Sequence, residues 1–168
     1  MTLENDLNNL NRDKFVSLFG VIFEKTQWIA EKLFDHKPFK NKEDLINKMF
    51  QIYESTQKNE VLVILKSHPK LAIEKNLTKH SSQEQSHANL KNCTDEEYNE
   101  FKRLNNEYEE KFGFPFILAV KNMNKTDILN FFQTRLENSK NEEFEEACRQ
   151  VEKIALLRLE EKFLESNE

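Results

Sequence analysis

The stretch KFGFPFILAV, residues 111–120, decides whether this chain reads as all-helical or mixed. It spends Gly113 and Pro115, from a chain with two glycines and three prolines, and then runs apolar from Phe116 to Val120. Alone, such a run reads as a buried strand. No neighbouring segment has the alternation or β-branched enrichment of a partner strand, and an unpaired buried strand leaves its backbone groups unsatisfied. The better reading is a break: Gly113 ends a helix, Pro115 stops it from continuing, and 116–120 runs extended or irregular.

On either side the chain is helical in pattern. Low Gly and Pro content with abundant Glu, Lys, Leu and Asn favours helix. Phe15, Leu18, Phe19, Ile22 and Phe23 keep helical spacing as far as Ile29, with a break near Pro38. A second helix starts after Asn41 with Leu45, Met49 and Ile52 on one face, and NEVLVILKSHP should end as helix just before Pro69. Capping-box spacing marks starts at Ser81 to Glu84, Thr94 to Glu97 and Ser139 to Glu142. From Thr94 a helix runs to Phe112, another covers Lys125 to Leu136, and the last runs from Asn141 to about Leu164. The reading is an all-α single compact domain over residues 1–168, with about seven or eight helices.

Composition narrows the function classes. The net charge of −5, without a basic cluster, opposes a nucleic-acid partner. The 14 phenylalanines supply core material and oppose disorder. Cys93 and Cys148 lie far apart without metal-ligand spacing, as in a reducing compartment. MTLENDLNNL lacks the basic and apolar parts of a secretory signal, the Phe112–Val120 run is too short to span a bilayer, and ESNE lacks a peroxisomal address. The expectation is a soluble cytoplasmic protein with no membrane partner. No phosphate-binding glycine loop, GxSxG, HExxH or paired-cysteine pattern occurs, so an enzyme here is expected to work without a bound nucleotide or a metal.

Three side chains stand out. His68 sits between an apolar helix and Pro69, either as a polar helix end or as a proton-exchanging group held rigidly toward a pocket. Glu84 fits the Ser81 capping box, although His80, Gln85 and His87 make that helix start unusually polar. Arg158 follows the stripe Phe144, Cys148, Val151, Ala155 and so lies on or beside the face that should pack inward. A buried guanidinium cannot shed its proton and needs an anion, either a protein carboxylate or an anionic ligand.

Taken in series, several stretches resemble 2-oxo-4-hydroxy-4-carboxy-5-ureidoimidazoline (OHCU) decarboxylase. They are the amino-terminal MTLENDLNNLNRDKFVSLFGVIFEKTQWIAEKL, SHPKLA at 67–72, SSQEQ at 81–85, LNNEYEEKFGFPFILAV at 104–120, ILNFFQTRL at 128–136 and KIALLRL at 153–159. The resemblance implies one OHCU decarboxylase-like domain over 1–168, all-helical, often homodimeric and cofactor-free, that releases CO2 to give (S)-allantoin in urate breakdown. It implies His68 as proton donor and Arg158 as a site arginine. Substrate contacts fall on Pro69, on Ser81, Ser82, Gln83, Glu84 and Gln85, and on Phe116, Ile117, Leu118, Ala119 and Val120. Glu84 would hold the substrate hydroxyl or the imidazole, and Arg158 would bind an anionic group or anchor Glu84. The chain departs from the family in having Asn89 at a usual glycine, IEKN where a glycine commonly follows HPxLA, and a shorter segment between His68 and Glu84. The alternatives are a non-catalytic binding module of the same fold, or a decarboxylase or lyase for a related ureido-imidazoline.

Overall fold

The computed structural model describes residues 2–166, and among them it contains nine helices and no strand. In chain order these are α1 (Leu3–Asp6), α2 (Arg12–Phe19), α3 (Trp28–Phe34), α4 (Lys42–Glu54), α5 (Lys58–Ser67), α6 (Lys79–His87), α7 (Asp95–Phe112), α8 (Lys125–Leu136) and α9 (Lys140–Glu165). Eight have seven residues or more, so the all-α reading holds. The chain divides into two compact units, Met1–Ser67 with Glu152–Glu168, and His68–Val151.

The first unit is built on aromatic packing. Phe15 and Phe19 lie 4.7 Å apart, Phe15 meets Phe34 at 5.4 Å and Phe39 at 5.8 Å, and Phe23 stacks on Tyr53 at 5.0 Å. Each fully buried phenylalanine contributes about 2–3 kcal/mol, which offsets much of the cost of ordering these short helices. Asn11 and Asn41 cap α2 and α4 by accepting from the Lys14 and Asp44 backbone N–H groups.

One long helix from Phe15 to Ile29 is not what forms. α2 stops at Phe19, the chain turns, and α3 begins at Trp28. Gly20 caps α2 through its N–H on the Val16 carbonyl, and a Cβ at Gly20 would meet that oxygen at 2.5 Å. Ile22 and Phe23 still bury their side chains from the turn, so apolar spacing alone could not show the break.

The second unit is held by α7, α8 and the first half of α9. Thr94 and Glu97 form the expected capping box of α7, and Ser139 and Glu142 make the same reciprocal pair before α9. α7 ends where expected, with Gly113 left-handed at φ 80 and its N–H on the Glu109 carbonyl. The Ser81 to Glu84 box does not form: Thr78 caps α6, accepting from the Ser81 N–H at 3.3 Å, because the helix starts three residues earlier.

Candidate functional site

The second unit begins with His68 and Pro69. α5 buries Val61, Ile64 and Leu65 and stops at Ser67, whose hydroxyl donates to the Ile64 carbonyl at 2.6 Å. His68 is buried, and Pro69 is half-buried. The loop that follows is latched at three points. Asn105 Nδ2 on α7 donates to the Leu71 carbonyl at 3.0 Å, the Ala72 N–H donates to Gln85 Oε1 at 3.0 Å, and Lys70 pairs with Glu109 at 2.7 Å. Ala72 has φ 69, a left-handed conformation that costs a non-glycine residue about 1–2 kcal/mol. The latches therefore hold a strained loop directly behind the histidine.

With Thr78 as the cap, Glu84 lies inside α6 and has no capping duty; it is half-buried. Ser81 and Gln85, four residues apart on one face, are buried, and Gln83 is exposed. The Ser82 hydroxyl accepts from Lys91 Nζ at 2.5 Å. Gln85 is the informative member. Its oxygen is fixed by Ala72, and its Nε2 is buried without a partner among the described residues. A buried amide donor left open is costly unless something accepts from it. Gln85 and Ser82 border a cleft of about 540 Å³ with Ala72, Leu77, Leu90 and Tyr98, whose lining does not include His68 or Glu84. Asn89 has φ 61, a conformation glycine takes freely and asparagine tolerates, so the departure from glycine there leaves the end of α6 intact.

From Pro115 to Val120 the chain is neither helix nor strand, and every side chain except the half-buried Ala119 is buried. Phe116 stacks on Phe132 with ring centres 3.9 Å apart. An irregular segment has no strand partner for its backbone, but two groups of 116–120 are taken by side chains. Arg135 Nη1 on α8 donates to the Ile117 carbonyl, and the Ala119 N–H donates to Gln150 Oε1 on α9 at 2.9 Å. A trans peptide is planar, with its C=O and N–H pointing opposite ways. Fixing the Ile117 C=O toward Arg135 therefore turns the Leu118 N–H away from it. Fixing the Ala119 N–H toward Gln150 turns the Leu118 C=O away in the same manner. Neither of these Leu118 groups has a hydrogen-bond partner among the described residues.

Arg135 is itself held. Glu143, fully buried, accepts from Arg135 Nε at 2.7 Å and pairs with Nη2 at 2.5 Å; it also accepts from the Tyr108 hydroxyl at 2.5 Å and Asn138 Nδ2 at 3.0 Å. The guanidinium lies over the Phe116 ring at 4.4 Å. Burial pushes the Tyr108 phenol well above its usual value; the Arg135 charge opposes this, and the bond to Glu143 adds to it. Tyr108 thus stays a neutral donor to the carboxylate. Sequence reasoning missed Arg135, Glu143 and Gln150. The signal for Arg135 was present: Ile128, Phe132 and Arg135 share one buried stripe, as Val151, Ala155 and Arg158 do.

Arg158 belongs to the first unit and is buried, as its stripe predicts. The carboxylate beside it is Glu24, which sequence reasoning did not find. Arg158 Nη2 meets Glu24 Oε1 at 2.5 Å, and Nη1 donates to the Ile22 carbonyl at 3.1 Å. Glu24 has φ 53 in the turn after α2. Cys93 and Cys148 form no disulfide. Among the described residues no group of three His, Cys, Asp or Glu side chains is placed to hold a metal ion, and no helix is long and apolar enough to cross a membrane.

Comparison with known proteins bears directly on this arrangement. The family model described as OHCU decarboxylase matches residues 8–160. A uric acid degradation bifunctional protein of Bacillus sp. strain TB-90 is 38% identical over 159 residues, covering 95% of this chain and 32% of that protein. A 2-oxo-4-hydroxy-4-carboxy-5-ureidoimidazoline decarboxylase of Haloferax volcanii is 37% identical over 163 residues, covering 97% of this chain and 96% of that one. Among solved structures, a crystal structure of (S)-allantoin synthase superposes with a TM-score of 0.77 at 30% identity, covering 95% of this chain and 53% of that chain. The chain thus spans about a third of the bifunctional relative and about half of the synthase, but nearly all of the haloarchaeal decarboxylase.

Proposed function

This chain belongs to the OHCU decarboxylase family, and we propose that it converts 2-oxo-4-hydroxy-4-carboxy-5-ureidoimidazoline to (S)-allantoin and CO2 in urate degradation, without a cofactor. One observation carries the reading. The Haloferax decarboxylase is matched over nearly its whole length, so a protein with that name consists of little more than the segment shared with this chain. We further propose that residues 1–168 act as one such domain, as a homodimer in the cytoplasm; the family resemblance supports this.

The substrate explains why no cofactor is required. Its carboxylate and hydroxyl share one ring carbon beside a C=N bond. When the carbon–carboxylate bond breaks, its electron pair forms a C=C bond to the neighbouring carbon, and the C=N electrons move to nitrogen. CO2 leaves. The nitrogen takes up one proton; another adds to that neighbouring carbon on one face, and the hydroxyl gives up its proton as the ring carbonyl forms. The protein has to hold the ring, orient the breaking bond and deliver the proton to a single face.

In this proposal His68, buried behind a latched loop, handles that proton. Glu84, with no capping duty, orients the hydroxyl or the imidazole. The buried Nε2 of Gln85 donates to a ring or ureido carbonyl, and Phe116 to Val120 keep water from the reacting bond. Pro69 and Ser81 shape the backbone beside these groups. The Ser82 hydroxyl, which accepts from Lys91, and the exposed Gln83 flank these groups on α6. Arg158, fixed in orientation by Glu24, binds an anionic group of the substrate.

The test generates the substrate in situ from urate and follows optical activity and CO2. The expected result is rapid formation of one allantoin enantiomer with the wild type, and the spontaneous rate with a folded His68→Asn variant. A wild type that leaves both rate and handedness at the spontaneous values would favour a non-catalytic binding module instead. Near-normal CO2 release by His68→Asn would remove the histidine from proton transfer.

A further inference from the structure

We infer that Arg135 and Gln150, outside the substrate-contacting set, are positioning residues that turn the Leu118 peptide edge toward the substrate. The inference rests on the activity proposed above. Arg135 takes the Ile117 carbonyl and Gln150 takes the Ala119 N–H. By peptide planarity, the Leu118 N–H points away from Arg135 and the Leu118 C=O away from Gln150. Leu118 is buried, and its two backbone groups lack hydrogen-bond partners among the described residues, a condition buried amides rarely keep unless water or a ligand completes them. A donor and an acceptor on one residue match the adjacent N–H and C=O of a cyclic urea or ureido group, the functional groups of the substrate and of allantoin. Neither helper acts alone. Glu143 accepts from Arg135 Nε and pairs with the guanidinium charge, and Gln150 is fixed by donating to Glu146 Oε1 at 2.8 Å. Without them the segment has no ladder to stop the Leu118 peptide from rotating.

Gln150→Leu removes the acceptor for the Ala119 N–H while keeping side-chain bulk. The expected result is a fall in kcat/KM of about fivefold to tenfold, carried mainly by KM, with reduced enantiomeric purity of the allantoin. The double variant Glu146→Gln/Gln150→Glu exchanges the two side chains, restores an acceptor for Ala119 and should recover both KM and product handedness. In parallel, amide NMR with (S)-allantoin as the probe should move the Leu118 resonance more than that of Ala119. An active wild type whose Gln150→Leu variant keeps its KM, kcat and product handedness would overturn this inference alone. Allantoin binding that leaves the Leu118 amide unmoved would do the same. A wild type inactive on OHCU would overturn the proposed activity and this inference together.

Discussion

Replacing Glu143 with leucine should be among the most damaging single changes in the second unit, and its cost can be worked from the contacts. The carboxylate is fully buried, accepts from Arg135 Nε, the Tyr108 hydroxyl and Asn138 Nδ2, and pairs with the Arg135 charge. Removing one partner of a buried ion pair costs about 3–5 kcal/mol, because the other charge stays in a poor solvent. The orphaned Tyr108 hydroxyl adds about 1 kcal/mol. Asn138 is half-buried and recovers its bond from water. The sum, about 4–6 kcal/mol, is a large part of the 5–15 kcal/mol typical of a domain. At about 2–4 °C per kcal/mol for a chain of this size, the melting temperature should drop by about 8–24 °C.

Urea denaturation of wild type, Glu143→Leu and Arg135→Met/Glu143→Leu separates the worth of the pair from the penalty of a stranded charge. The double variant has no buried charge at this position and should recover more than half of the lost stability. It should not recover activity, because nothing then holds the Ile117 carbonyl. A Glu143→Leu variant within about 1 kcal/mol of wild type would refute the assignment of a buried, desolvated pair. So would a double variant less stable than the single one.

Gly113→Ala isolates backbone strain, since φ is 80 and an added Cβ meets nothing within 4 Å. It should cost about 1–2 kcal/mol in urea denaturation, and Gly113→Asn less; an unchanged midpoint would refute a required left-handed cap. Glu152 is pushed up to about 7, mainly by burial and further by its hydrogen bond and charge repulsion with Glu54. The folded state then holds a proton that the unfolded chain releases near 4.5, so this group's contribution is present below that pH and is lost as pH rises through about 7. Subtracting the stability profile of Glu152→Gln from that of wild type between pH 5 and 8 should show this falling slope, and a flat difference would remove the effect.

The sequence was most legible where local chemistry decides. Thr94, Ser139 and Gly113 each mark a helix end through bonds to residues three or four positions away. The same template failed at Ser81 because Thr78 stands three residues earlier and a serine, not a glutamate, occupies its third helical position. The turn after Phe19 was hidden because Ile22 and Phe23 bury themselves from irregular backbone as well as they would from a helix. The inward face of Arg158 could be counted along α9. Its carboxylate lies 134 positions away in the chain and could not. Arg135 was within reach of the same counting; Gln150 and Asn105 were not, because a buried amide has no signature until its backbone partner is known.

These residues answer a common problem of all-helical chains. A buried segment outside a helix has no ladder to satisfy its backbone, and this protein supplies side chains in place of strands. Within one unit Arg158 grips the Ile22 carbonyl in the turn after α2, and within the other Arg135 grips that of Ile117. Each guanidinium is neutralised by one glutamate, Glu24 or Glu143. Asn105, Gln85 and Gln150 do the same for Leu71, Ala72 and Ala119 without charge. The ion pairs are therefore poorly explained as net stabilisers, since apolar residues of equal volume often serve stability as well. They are better explained by geometry: a planar fork can hold a carboxylate and a peptide carbonyl at once and so fixes where an irregular segment points its remaining groups. An arginine or amide on the apolar stripe of a helix is then a sequence signal for buried irregular backbone nearby, which is where a ligand that pairs with peptide groups can be held.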